Sequence, residues 1–377
     1  MPPVTIDGSL GITTPMYNGS ITANAVTPSV NMKNRIINGA MVVNQRALGT
    51  TTINSGSAWV YTLDRWSAIG ETSLGVYTLQ QSSTAPNGFI NSLLATVTTA
   101  STPSSGNLYV IRQVIEGLNC TDLGWGTANA QTVTLSFWVR SSLTGTFGGV
   151  LKNSAENRSY PFTYTINSAN TFEQKSITIV GDTSGTWLTT NGAGINLLFS
   201  LGAGSSVAGT SGAWAGSNFY GATGQTNVIA TNGATFYITG VQLEVGSTAT
   251  SFDYRPYGTE LALCQRYYQI PSKLASSDNY FLFGTGYTIN STSAYMYVKF
   301  TQTMRTNPTM TYSAANTFAV HTGSSSVVSC TAMGTERTTS DTAWVTATVA
   351  SGLTTGYGVF LIGNNSSSAK IEASAEL

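Results

Sequence analysis

The clearest pattern in the chain is the alternation through residues 132–140. Val133, Leu135, Phe137 and Val139 fall on one side, and Thr134, Ser136, Trp138 and Arg140 on the other. A two-residue period of this kind is a strand with one buried face. Residues 178–180 and 196–199 read as further core strands. Across 236–244, Phe236 and Ile238 share a face, then Val241 and Leu243 fall on the opposite phase after Gly240. A phase slip at a glycine inside a strand predicts a β-bulge. Strand signals at this spacing, with turn residues between them, fit two sheets packed face to face.

The period changes once. In 260–268, Leu261, Cys264 and Tyr268 recur at helical spacing, which predicts one short helix. Beyond it the alternation returns in 294–300 and 343–349. Residues 357–362 form a continuous apolar run, as expected of a strand covered on both sides. Before residue 34, Pro2, Pro3, Pro15 and Pro28 break helices and the apolar residues never cluster. The organisation expected is therefore an extended arm (1–33), a β-sandwich domain (34–257), a linking helix (258–268) and a smaller C-terminal β-domain (269–377). The arm is expected to lie against another chain.

Composition narrows the partners. Only 8% of residues are charged, with 16 Lys plus Arg against 16 Asp plus Glu, while 41% are hydrophobic and 10% aromatic. That is enough apolar mass for large cores, and no electrostatic reason to seek nucleic acid or anionic membrane. No apolar run reaches a membrane span, and the start, MPPVTIDGSL, does not read as a signal peptide. Cys120, Cys264 and Cys330 are far apart and odd in number, so no disulfide framework is implied. A protein made in a reducing cytosol and exposed later, as virion proteins are, fits this usage.

Several passages together resemble a known family. Residues 34–41 (NRIINGAM), 44–46 (NQR) and 61–66 (YTLDRW) resemble the opening of a phage tail-fibre and tail-associated domain, and 236–257 (FYITGVQLEVGSTATSFDYRPY) its closing strand and exit. Residues 304–309 and 371–377 resemble the C-terminal domain of such proteins. The resemblance implies an all-β protein, a jelly-roll-type β-sandwich similar to carbohydrate-binding modules. It further implies a homotrimer on the virion exterior, at tail or capsid, held to other virion proteins through its arm and contacting a host-surface glycan.

Candidate chemistry is sparse. His321 is the single histidine, so a Ser-His-Asp triad would rest wholly on it, and no G-x-S-x-G occurs. No metal, cofactor or catalytic residue is expected. A depolymerase needs only two carboxylates and stands as an alternative, as does a purely structural decoration or head-fibre protein. Asp64, Arg65 and Trp66 are expected to be structural, an Asp–Arg pair beside a space-filling aromatic, and Gln242 and Glu244 likewise. The candidate glycan contacts are Trp125, Trp187, Trp214, Phe219 and Tyr220, because flat aromatics stack on the apolar faces of sugars. The competing reading has them pinning loops onto the core or lying between subunits. With so few Lys and Arg, the site is expected to be shallow, uncharged and aromatic. Its affinity would be weak, roughly 4 to 8 kcal/mol per site, and raised by several copies on one particle.

Overall fold

The computed structural model describes residues 32–377 apart from 55, 57, 72–74, 272–277 and 324–325. The expected arm lies almost wholly outside the described residues. The body, Asn34–Leu377, is one compact unit, and it is all-β.

Its first part is a sandwich. The strands are β1 (Thr51–Ile53), β2 (Val60–Leu63), β3 (Trp66–Glu71), β4 (Val76–Ser82), β5 (Ser92–Thr99), β6 (Leu108–Glu116), β7 (Val133–Ser141), β8 (Gly145–Asn153), β9 (Ser159–Ile166), β10 (Glu173–Ile179) and β11 (Ala193–Ala203). A short pair, β12 (Ala208–Gly209) and β13 (Gly221–Ala222), precedes the closing strand β14 (Thr235–Val245). One sheet has the order β1-β4-β5-β14-β7-β10, the other β2-β3-β6-β11-β8-β9. Val133, Leu135, Phe137 and Val139 point between them with Phe199, Leu197, Phe236 and Ile238. The bulge is where the phase slip placed it. The pairing of β14 with β7 shifts between Thr239 and Gln242, and Gly240 has φ +59°. The slip returns Val241 and Leu243 to the core side.

Two sequence expectations change here. Leu198 faces outward from its sheet, under Val207, Phe219 and Tyr220, and Val180 is exposed just past the end of β10. The helix α1 spans Tyr257–Gln265 and buries Cys264. Tyr268 lies beyond it, in the two-residue strand β15 (Tyr268–Gln269).

The remaining strands are β16 (Leu282–Thr288), β17 (Ser293–Lys299), β18 (Thr309–Tyr312), β19 (Phe318–Thr322), β20 (Val327–Thr338), β21 (Thr342–Val349), β22 (Gly358–Gly363) and β23 (Ile371–Ser374). Six of them close a barrel, β16-β17-β21-β20-β19-β22. Its interior holds Phe283, Met296, Val298, Phe318, Val345 and Leu361. A barrel strand has one interior side, so the run 357–362 is not covered twice: Val359 and Leu361 are buried, while Phe360 is 44% exposed.

A separate three-stranded sheet, β15-β23-β18, stands beside the barrel, and charged side chains join this part of the chain to the sandwich. Arg65 pairs with Glu376 and lies over the Tyr267 ring. Glu116 accepts from Arg266 at 2.6 Å and from the Tyr267 hydroxyl at 2.5 Å. Arg305 donates to the carbonyls of Ala375 at 2.8 Å and Asn191 at 2.7 Å.

Candidate functional site

The expected glycan contacts do not form one surface. Trp125, Trp187 and Trp214 come together as three indoles at 4.7 to 5.4 Å, each edge-to-face on the next, with Tyr160 against Trp214 at 5.2 Å. Each indole N–H is spent on a backbone carbonyl: Trp125 on Gln131 at 2.8 Å, Trp187 on Ser184 at 3.2 Å, Trp214 on Val180 at 2.7 Å. Trp125 and Trp187 are only 7% and 9% exposed. A cleft of about 170 Å³ is lined by Trp125 and Trp187 together with Thr121, Leu123, Leu188 and Ile195.

Phe219 and Tyr220 lie elsewhere, on the outer side of the second sheet, where they cover Val110, Val150 and Leu198. Gly209 permits this, since a Cβ there would stand 2.3 Å from the Phe219 ring. Tyr220 lies over the Lys152 ammonium at 3.7 Å. That ammonium donates to Glu156 at 2.8 Å and Asn218 at 2.9 Å. Burial lowers Lys152 to about 8, against the pull of Glu156. Partial burial works against the Glu156 charge, but Lys152, Asn218 and Tyr220 outweigh it and hold the carboxyl below its usual range.

The motif residues are interior. Asp64 and Arg65 do not pair with each other, because Arg65 has φ +70° and its side chain runs to Glu376. Asp64 instead accepts from the Gln45 backbone and side chain, both at 2.7 Å, with Arg46 at 3.8 Å. Burial pushes its carboxyl up to about 6 despite those partners. Trp66 is buried and donates to Asn38. Gln242 donates to Glu244 at 2.8 Å, and Glu244 accepts from Thr250, so this pair pins the exit segment. Among the described residues no group of His, Cys, Asp and Glu is placed to hold a metal ion. No helix there is long and apolar enough to cross a membrane.

The surface that sequence reading missed is the barrel wall. The register sets His321 beside Phe360, Phe360 beside Thr285, Thr285 beside Tyr297, Tyr297 beside Trp344, and Trp344 beside Arg337. A second row sets Tyr287 beside Tyr295 and Tyr295 beside Thr346. Tyr295, Tyr297, Trp344, Thr346 and Phe360 alternate with buried positions, so their side chains point outward, as do those of their cross-strand partners on the same face. Tyr287, Tyr297, Trp344 and Phe360 are 43 to 49% exposed. Tyr295 stacks near-parallel on Trp344 at 6.1 Å. A depression of about 200 Å³ opens among Thr285, Tyr287, Tyr295, Tyr297 and Trp344. The hydroxyls of Tyr287, Tyr295 and Tyr297 and the indole N–H of Trp344 make no hydrogen bond among the described residues. The sequence signal was the wide side chains at the polar phase of 294–300 and 343–349, set against Ala294, Ala343 and Ala347 at the inner phase.

No family model matches this chain, and no curated protein matches it. Solved structures do. A putative sugar binding protein from Bacteroides thetaiotaomicron is 10% identical, over 57% of this chain and 100% of its own, at TM-score 0.32. The enzymatically active domain of bacteriophage CBA120 tailspike protein 4 is 13% identical over 56% of this chain, at TM-score 0.29, and the match spans 21% of that tailspike chain. A family 11 carbohydrate-binding module from Clostridium thermocellum, in complex with a mixed-linked tetrasaccharide, is 9% identical over 54% of this chain and 99% of its own, at TM-score 0.28.

Proposed function

We propose that this chain is a bacteriophage virion protein of the tail-fibre or receptor-binding kind, which holds host-surface glycan on its barrel wall without cleaving it. The observation that carries the reading is the pair of outward rows on the barrel. Aromatic faces there meet the C–H faces of a sugar, and the tyrosine hydroxyls and the Trp344 N–H reach its hydroxyls. Exposed aromatic patches on otherwise polar proteins mark interaction sites. Hydrolysis of a glycosidic bond most commonly uses a pair of carboxyls. The paired positions of the two rows offer phenols, threonines, an indole, an imidazole and a guanidinium instead.

In this reading the sandwich is a rigid mount, residues 1–33 attach the chain to the particle, and three copies act together. Trp344→Ala and Tyr297→Ala should leave a folded protein that no longer adsorbs to host cells. Phe360 and Leu282, both half-exposed and apolar, favour a rival in which the same wall packs against a second copy in a structural decoration. Light scattering separates the two. If Trp344→Ala dissociates the oligomer and adsorption of the remaining assembly per copy is unchanged, the wall is a subunit contact.

A further inference from the structure

Arg140 lies on the outward side of the sandwich's first sheet, far in sequence from the barrel rows. Its guanidinium carbon is 5.0 Å from the Tyr237 ring centroid and 5.8 Å from that of Phe172. These two rings meet edge to face at 6.0 Å. The register explains the arrangement: Tyr237 pairs with both Leu94 and Arg140, and Glu173, next to Phe172, pairs with Val139. Gly240 shapes the neighbouring row. At its positive φ a Cβ would stand 2.6 Å from Phe89 and 3.0 Å from Trp138, so glycine lets both rings approach the bulge closely. Gln174, exposed, sits opposite Trp138 across the strand pair.

Among the described arginines only Arg140 and Arg337 lack an ion pair and a hydrogen bond, and Arg337 is exposed on the barrel whereas the Arg140 guanidinium lies against two rings. Arg35, Arg46, Arg65, Arg158, Arg255 and Arg266 all pair with a carboxylate. Arg140 makes no ion pair and no hydrogen bond to any described residue, and its Nε is buried without a partner. A guanidinium is a planar fork that matches a carboxylate with two parallel bonds. Held between two rings, it is orientated before any ligand arrives, which removes much of the ordering cost of binding.

We infer that Arg140, Tyr237, Phe172, Trp138 and Gln174 form a second glycan site, specific for a sugar that carries a carboxylate, such as a uronic acid unit within a polysaccharide. The carboxylate takes the Arg140 fork and one face of the sugar ring lies against Tyr237, with Phe172 standing edge to face beside that ring. Its hydroxyls reach the Gln174 amide and the Trp138 N–H. The charge complementarity is local to Arg140, so it coexists with a chain of zero net charge. The inference stands independently of the barrel reading, since it uses a different domain and a charged rather than a neutral ligand.

The test uses the full chain and trisaccharides of glucuronate, galacturonate and mannuronate, each as the free acid and as the methyl ester, followed by saturation-transfer NMR and calorimetry. At least one acid should bind, with its ester weaker by about tenfold or more, the size of a lost charge-assisted pair. Arg140→Gln should weaken the acid to the level of the ester, and Arg140→Lys should fall between, keeping the charge without the fork. Trp344→Ala should leave this binding unchanged, which separates the site from the barrel. Binding by none of the acids, equal binding of acid and ester, or unaltered binding by a folded Arg140→Gln would overturn the inference. So would sodium acetate binding as tightly as the trisaccharide, which would reduce the site to an anion contact without sugar recognition.

Discussion

The tryptophans of the sandwich and of the barrel solve opposite problems. Trp66, Trp125, Trp187 and Trp214 each give their indole N–H to a backbone carbonyl and turn their ring faces onto other side chains. Trp344 stands on the barrel wall, 43% exposed, with Tyr295 stacked alongside. A buried indole needs a partner for its N–H, and a sandwich with long loops can supply carbonyls. The closed barrel fills its interior with aliphatic side chains and phenyl rings. Its interior at these strands is Ala294, Ala343, Ala347 and Met296, so wide side chains at the alternate positions go outward. The same residue type is therefore structural at those four sandwich positions and available to a ligand on the barrel wall.

The comparison can be broken first at its strongest point. Trp187→Ala should destabilise the chain by about 3–5 kcal/mol, the usual cost of emptying a large buried aromatic site. Denaturant melts would show it, and a loss below about 1 kcal/mol would mean the ring is not core packing. Arg65→Ala should cost about 2–4 kcal/mol, because it empties the space over the Tyr267 ring and leaves the buried Glu376 with Arg46 as its one remaining arginine. Since Arg65 and Glu376 join sandwich to barrel, the variant should also expose the segment around α1 to proteolysis at temperatures where wild type resists.

A smaller effect comes from Asp64. Its carboxyl is raised to about 6 in the folded chain, against an unfolded value near 3.9. The folded state therefore holds the proton more tightly, and this contribution to stability is complete below about pH 3.9 and lost as pH rises through about 6. The difference in Tm between wild type and Asp64→Asn should shift against wild type over that window. A flat difference would show that Arg46 fully offsets the burial. The smallest expected change in stability is at the barrel wall, where Trp344→Ala should stay within about 0.5 kcal/mol.

Much of the fold was legible in the chain, and the reasons are physical. The strand at 132–140 has one wet and one dry side, so alternation alone gave its orientation. Gly240 gave the bulge because few other residues reach φ +59°. The candidate site was not legible in the same way. Tyr297 and Trp344 alternate with small apolar residues, and a hydropathy pattern cannot say which phase faces inward when both are apolar. Trp125, Trp187 and Trp214 sit in glycine-rich loops, where sequence shows an adaptable segment but not that three such segments meet ring to ring. The pairing of Arg65 with Glu376 spans 311 residues, beyond the reach of any local motif. Arg140 was seen only as the polar phase of a strand, because the absence of a partner is a property of the folded surface.

The central claim is that Trp344 on the barrel meets neutral glycan and the packed indoles of Trp66, Trp125, Trp187 and Trp214 do not, and indole N–H signals in 15N-labelled protein report on each ring separately. Neutral oligosaccharide from the host envelope, titrated into the full chain, should shift the Trp344 signal progressively and leave those of Trp66, Trp125, Trp187 and Trp214 in place. Shifts at Trp125, Trp187 or Trp214 with Trp344 unmoved would contradict the account and move the recognition site to the sandwich loops.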